Sequence, residues 1–218
     1  MKRSIRETLI RVVILLVGLT IAHFGVTLFL LANLGADPFN VLVQGVFRTL
    51  SNVTGWAFLT HGRTHIAICF LIILVLLIVD RSYIKIGTLL CMICGGPIID
   101  VFTALLSGLH LETFPLVGKI VVLALGCAIL AYGMTIVIQS DAGTGPNDLV
   151  SVVISDKLHR KFSIVRIITD FSFVLVGFLL GGLFGIGTII CAFVVGPVAG
   201  IFLPVNKKLV DNILAKTV

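Results

Sequence analysis

Charge is scarce in this chain. Only 12% of its 218 residues are Asp, Glu, Lys or Arg, while 58% are hydrophobic. A soluble domain of similar length is about half apolar and about a quarter charged. A mean hydropathy of +1.20 excludes that class and marks an integral membrane protein. The net charge of +6 is then no nucleic-acid signature. Lys and Arg cluster beside apolar runs, where they set orientation and meet anionic lipid.

The local signatures of common chemistries are missing too. There is no Gly-rich phosphate loop with its Lys, no nucleophile elbow and no His-Glu-x-x-His pattern. An enzyme is disfavoured, and neither a cofactor nor a metal is expected. No cleavable leader is evident. The first apolar run, Val12 to Ala32, is too long for one and lacks a small-x-small site at its end. Cys69, Cys91, Cys94, Cys127 and Cys191 all fall inside apolar runs, which argues against a disulfide framework. Cys91 and Cys94 have redox or metal spacing, but no His or acid precedes Asp100 in their run, so they read as packing residues.

Long apolar runs, by contrast, are plentiful. A bilayer core of about 30 Å needs about 20 helical residues. Six runs qualify: Ile10–Ala32, Thr64–Val79, Ile84–Leu106, Val117–Gln139, Ser163–Leu180 and Phe184–Leu203. The sequence therefore predicts an all-α, polytopic transmembrane bundle, one membrane domain over 8–206. Two further segments, Pro38–Leu50 and Pro146–Leu158, reach only about 20 Å as helices. Each starts on Pro, which suits a first helical position. Asp37 is a good N-cap for the first and Gly145 a permissible one for the second.

These two segments belong to a repeat. Leu34-Gly35-Ala36-Asp37-Pro38-Phe39-Asn40 returns as Ala142-Gly143-Thr144-Gly145-Pro146-Asn147-Asp148. At an offset of 108, Gly18, Gly25, Thr27, Gly35 and Pro38 match Gly126, Gly133, Thr135, Gly143 and Pro146. At an offset of 100, Ile86-Gly87-Thr88, Cys91, Gly96-Pro97 and Phe102 match Ile186-Gly187-Thr188, Cys191, Gly196-Pro197 and Phe202. Matches at Gly and Pro imply shared backbone geometry. Residues 1–107 and 117–206 would be the two repeats. The glycine pairs, seven residues apart, lie on single helix faces and suit close packing.

Three spans per half plus one short helix that does not cross would invert the halves. With the N-terminus in the cytoplasm, all of the 16 Lys and Arg except Arg48, Arg63 and Lys119 then lie inside. If the short helices cross, two parallel halves of four spans result, and only Arg81 and Lys85 lie outside. Charge does not choose between these arrangements, and both termini are cytoplasmic in either. The shortness of the two segments and the polar stretch Ser51–Arg63 favour six spans and two half-helices.

Broken helices placed symmetrically in two repeats point to a transporter site. Two half-helix N-termini, at Gly35, Pro38, Gly143, Gly145 and Pro146, would aim amides at one place and suit an anionic group. Asp37, Asn40, Asn147 and Asp148 would add polar contacts; the plainer reading is surface turns with Asp and Asn as caps. Arg166 and Asp170 lie four apart on one helix face and can pair. Ionisable groups in a span usually face the bundle interior. They read as a structural ion pair first and a substrate or proton site second. Asp100 is either a lone proton or cation site or a headgroup-level residue. His23 reads as a packing residue. His65 lies just inside the second run and His61 in the polar loop before it; their spacing of four suggests a metal only if that loop is helical, and they are discounted.

At these residues a family resemblance emerges. Leu34 to Leu42 resembles the first-half motif of bacterial YczE-like membrane proteins, in the YczE/YyaS/YitT grouping. Gly143 to Asp148 resembles their second-half Gly-x-Gly-Pro-Arg-Asp motif, with Asn147 where the family often has Arg. Ser163-Ile164-Val165-Arg166 with Asp170, then Gly185 to Thr188 and Gly196-Pro197, continue the match. The resemblance implies a bacterial cytoplasmic-membrane protein. It also implies a cytoplasmic loop at Asp80–Lys85, which favours the inverted arrangement. It supplies no substrate. The expected function is a small secondary-transporter-like permease with membrane lipid around it and a small-molecule substrate. The alternative is a non-transporting accessory protein that packs against a partner.

Overall fold

A computed structural model of the chain describes residues 4–56 and 58–217. Lys2 and Arg3, counted above among the inside charges, lie outside the described residues. Among those described, all regular structure is helical. The order is α1 (Ile5–Ala32), α2 (Pro38–Thr54), α3 (His61–Asp80), α4 (Ile86–Leu106), α5 (Leu116–Ser140), α6 (Pro146–Leu158), α7 (Phe162–Leu179) and α8 (Ile186–Thr217). Short 3-10 turns join α3 to α4 and α4 to α5. Among the described residues six helices are long and apolar enough to cross a membrane; α2 and α6 are not among them.

The expected spans match these helices with shifted ends. α1 starts at Ile5, where Ser4 caps it by accepting from the Glu7 amide. α3 starts at His61 because Thr60 caps it through the Arg63 amide. α8 runs on through Pro204 to Thr217, well past the apolar run. α2 ends at Thr54, not Leu50, where Gly55 adopts a left-handed conformation. The expected caps are present: Asp37 caps α2 with its side chain, and Gly145 occupies the N-cap of α6.

α1 and α5 form the centre. Both are apolar all round, as buried membrane helices are, and they cross through small residues. A Cβ on Gly25 would collide with the Gly126 carbonyl and the Leu130 amide. One on Gly133 would collide with the Gly18 carbonyl and the Ala22 amide. In lipid no hydrophobic force drives helices together, so close backbone approach of this kind supplies the packing. α8 closes one flank around Phe29, Leu123, Cys127, Met134, Cys191 and Val195. α4 closes the other around Leu15, Leu19, Cys91, Val137 and Ala142.

Both central helices end on a left-handed residue, Asn33 (φ 51°) and Asp141 (φ 54°). The chain then turns through Gly35 (φ 139°) and Gly143 (φ 132°), where an L side chain would be strained. Each glycine also lies against another helix start, Gly35 against Gly185 and Thr188, Gly143 against Gly87 and Thr88. The Gly187 amide donates to the Leu34 carbonyl at 2.9 Å, and the Gly87 amide to the Ala142 carbonyl at 2.8 Å. So the strands of chain before α2 and α6 are held by α8 and α4.

Two seams complete the bundle. α2 meets α7 backbone to backbone, with Gly45 against the Gly177 carbonyl and Gly182 against the Val41 carbonyl. Arg48 donates to the Gly181 carbonyl at 2.9 Å and Thr49 to the Leu180 carbonyl at 2.8 Å. α3 meets α6 through Leu76, Leu149 and Val153, with Ile72 and Tyr83 alongside. At that end Lys157 pairs with Asp80 at 3.1 Å, Tyr83 donates to Asp156 at 3.2 Å, and Lys85 pairs with Asp141.

Candidate functional site

Both turns deliver their helix starts to one cavity of about 330 Å³. Asp37, Pro38, Phe39 and Asn40 reach it from the start of α2, and Gly145, Pro146, Asn147 and Asp148 from the start of α6. α1, α4 and α5 supply most of the remaining wall, including Phe29, Met92 and Met134. α3 contributes His65 and Cys69, α7 contributes Arg166 and α8 contributes Cys191.

The polar groups form two knots. At α2, Asp37 accepts from the Asn40 amide at 3.2 Å and from Asn40 Nδ2 at 2.5 Å. At α6, Arg166 Nη1 donates to Asp148 Oδ1 at 2.5 Å, and Asn147 Nδ2 donates to the same oxygen at 3.3 Å. Arg166 Nε donates to Asp170 Oδ2 at 3.0 Å. Asp170 lies behind the guanidinium, 1% exposed. Its Oδ1 has no hydrogen-bond partner among the described residues. The expected pair is therefore a triad in which one guanidinium on α7 ties two carboxylates from different helices.

Of the eleven residues singled out from sequence, eight line the cavity: Asp37, Pro38, Asn40, Gly145, Pro146, Asn147, Asp148 and Arg166. Asp170 supports that wall from behind. Gly35 and Gly143 do not reach it; they permit the turns and the contacts with α8 and α4. Asp100 on α4 is exposed and does not line the cavity, although its neighbour Ile99 does.

Two wall residues were discounted from sequence. His23 donates from Nδ1 to the Leu19 carbonyl at 2.8 Å, which turns Nε2 towards Gly95 and the cavity. His65 packs its ring edge-on to Phe39 and lines the same space. The segment carrying His61 and His65 is helical, so they do share a face, yet His61 meets Asn40 Oδ1 at 3.3 Å outside the cavity wall. Among the described residues no three or more His, Cys, Asp or Glu are grouped to hold a metal ion. The signal that identifies His23 is its place one helical turn from Leu19 and Val26 on the α1 face that also carries Ala22; that face is known only once α1 is packed.

These features define a multi-pass, all-helical membrane protein with a charged site enclosed among its helices. The chain belongs to a family of unknown function, DUF6198, whose profile matches residues 9–204. It is 29% identical to the uncharacterized membrane protein YczE of Bacillus subtilis, over 97% of this chain and 94% of that protein. It is also 29% identical to an uncharacterized protein of Haemophilus influenzae, over 90% and 84% of the two chains. YyaS of Bacillus subtilis is 23% identical over 88% and 92%. No solved structure matches the chain significantly.

Proposed function

We propose that the protein is a small secondary-transporter-like permease made of two inverted repeats, residues 1–107 and 117–206. The observation that carries this reading is the meeting of both Pro-led helix starts in one charged cavity. Irregular backbone at membrane depth persists where it is buried in protein or lines a cavity, and such broken helices frame the site of many secondary transporters.

The repeat is supported by contacts that exchange under it. Adding 108 to Gly25 gives Gly133, and subtracting it from Gly126 and Leu130 gives Gly18 and Ala22. The Gly25 contacts thereby become the Gly133 contacts. The hydrogen bond of Gly187 to Leu34 likewise becomes that of Gly87 to Ala142. A two-fold axis makes such exchanges, and an odd number of spans in each half lays that axis in the membrane plane.

The end holding Arg11, Lys85, Lys157 and the end of α8 carries most of the positive charge, which supports a cytoplasmic placement for it and for both termini. On this reading the membrane is that of a bacterial cell, the surroundings are lipid, and the ligand is a small molecule. No nucleic acid, cofactor or catalysis enters.

The test is accessibility. Asn40→Cys and Asn147→Cys are placed separately in a chain whose five cysteines are replaced by Ala. Membrane-impermeant thiol reagents are then applied to either face of oriented vesicles. A permease exposes both positions, and to each face in some fraction of molecules. If neither position reacts from either face, the permease reading fails and an accessory role through helix packing takes its place.

A further inference from the structure

We infer that the cavity selects a small organic cation, an ammonium group on an apolar body. The inference rests on the ligand-site reading above and adds the sign of the charge.

The first reason is the charge count. A helix start attracts anions through its free amides and dipole, but both starts here already carry carboxylates. Asp37 takes the Asn40 amide, and Asp148 sits in the first turn of α6. Among the described residues the sole Lys or Arg on the cavity wall is Arg166, and it is committed to Asp148 and Asp170. Around the cavity one guanidinium is set against three carboxylates, Asp37 and Asp148 on the wall and Asp170 behind it, and two formal negative charges remain. An incoming anion would meet that excess at short range, where poor solvation makes repulsion strong.

The second reason is hydrogen-bond polarity, and it is independent of charge. His23 Nδ1 lies 2.8 Å from a carbonyl oxygen, so it must carry the proton. In the neutral ring Nε2, the cavity-facing nitrogen, is then an acceptor. Asn40 Nδ2 is taken by Asp37 and Asn147 Nδ2 by Asp148. The wall so offers an acceptor at His23 Nε2 and commits its two Asn side-chain amides to carboxylates. An N–H-bearing cation supplies what is lacking; an acceptor-only anion does not. Phe29, Phe39, Met92 and Met134 give the rest of the wall an apolar character, which suits a carbon body better than a bare metal ion. A volume of about 330 Å³ lies at the low end of small-molecule pockets, about 300–1,000 Å³.

Three probes with one body and three charges test this: phenethylammonium, 2-phenylethanol and phenylacetate. Equilibrium binding of radiolabelled phenethylammonium to the purified full-length protein is measured, with the other two as competitors. The ammonium should bind at least tenfold more tightly than the alcohol, and phenylacetate should not compete. Asp37→Asn should weaken it at least tenfold. Asn147→Asp, which adds a carboxylate and leaves the α2 cap intact, should tighten it several-fold. The inference is overturned if phenylacetate competes as well as the amine. It is equally overturned if none of the three binds at 10 mM, or if Asn147→Asp leaves amine binding unchanged. Ammonium binding without counterflow in proteoliposomes would keep this inference and refute the permease; counterflow of phenylacetate would do the reverse.

Discussion

Replacing Arg166 with Gln should be the most damaging single charge change in the bundle, and the reason is Asp170. That carboxylate is 1% exposed, and its one hydrogen bond comes from Arg166 Nε at 3.0 Å. Without the guanidinium it is a buried charge with no partner. Removing one member of a buried pair costs about 3–5 kcal/mol, a roughly hundred- to several-thousand-fold loss in folding equilibrium. Asp170→Asn removes the other member with a smaller penalty, since Arg166 keeps Asp148 at 2.5 Å. The double variant Arg166→Gln/Asp170→Asn removes the stranded charge and should regain at least about 1 kcal/mol over Arg166→Gln, because neutral replacement of a buried pair is often tolerated. Reversible unfolding by SDS in mixed micelles measures all three. If Arg166→Gln is as stable as the parent, or the double variant is no better than Arg166→Gln, the burial argument is wrong.

Gly25→Ala should destabilise by about 1–3 kcal/mol or more, the range for overpacking, because its Cβ meets α5 backbone that has no rotamer to yield. Gly62→Ala, with open space around it, should be neutral in the same unfolding assay. Asn206 is 1% exposed and donates to Thr135 Oγ1 at 2.6 Å, tying α8 to α5. Asn206→Ala should cost about 1–3 kcal/mol, the penalty of an unmade buried bond, and Thr135→Val added to it should cost little more. Reporter fusions at Ser82 and Ser140 should both read as cytoplasmic and one at Ser51 as external. If Ser51 and Ser82 read alike, α2 crosses and the inverted arrangement is lost.

Membrane class and the six helices long and apolar enough to cross were legible in the sequence because hydropathy is a sum over neighbouring residues and needs no partner. The two shorter helices were legible too. Asp37 and Pro38 act on backbone amides within one turn, so cap and start appear together in the letters. Arg166 with Asp170 was readable because four residues make one helical turn. The third member, Asp148, was not, since it comes from another helix 18 residues away. The faces of α1 and α5 were hidden for another reason. Both are apolar all round, so no periodicity marks the side that turns inward, and His23 looked like any core residue. His65 stood just inside the second apolar run, but that its ring turns to Phe39 and the cavity follows only from packing.

What the sequence determined by itself, then, was every feature set by contacts within about one helical turn: membrane residence, the helices, and the two capped breaks. Tertiary structure alone decided that the breaks share a cavity, that Arg166 faces two carboxylates, and that two histidines join them. Those depend on how the helices pack, and in lipid that packing follows from where glycines let backbones touch. Gly18, Gly25, Gly126 and Gly133 announce close approach, but only the assembled bundle says against what.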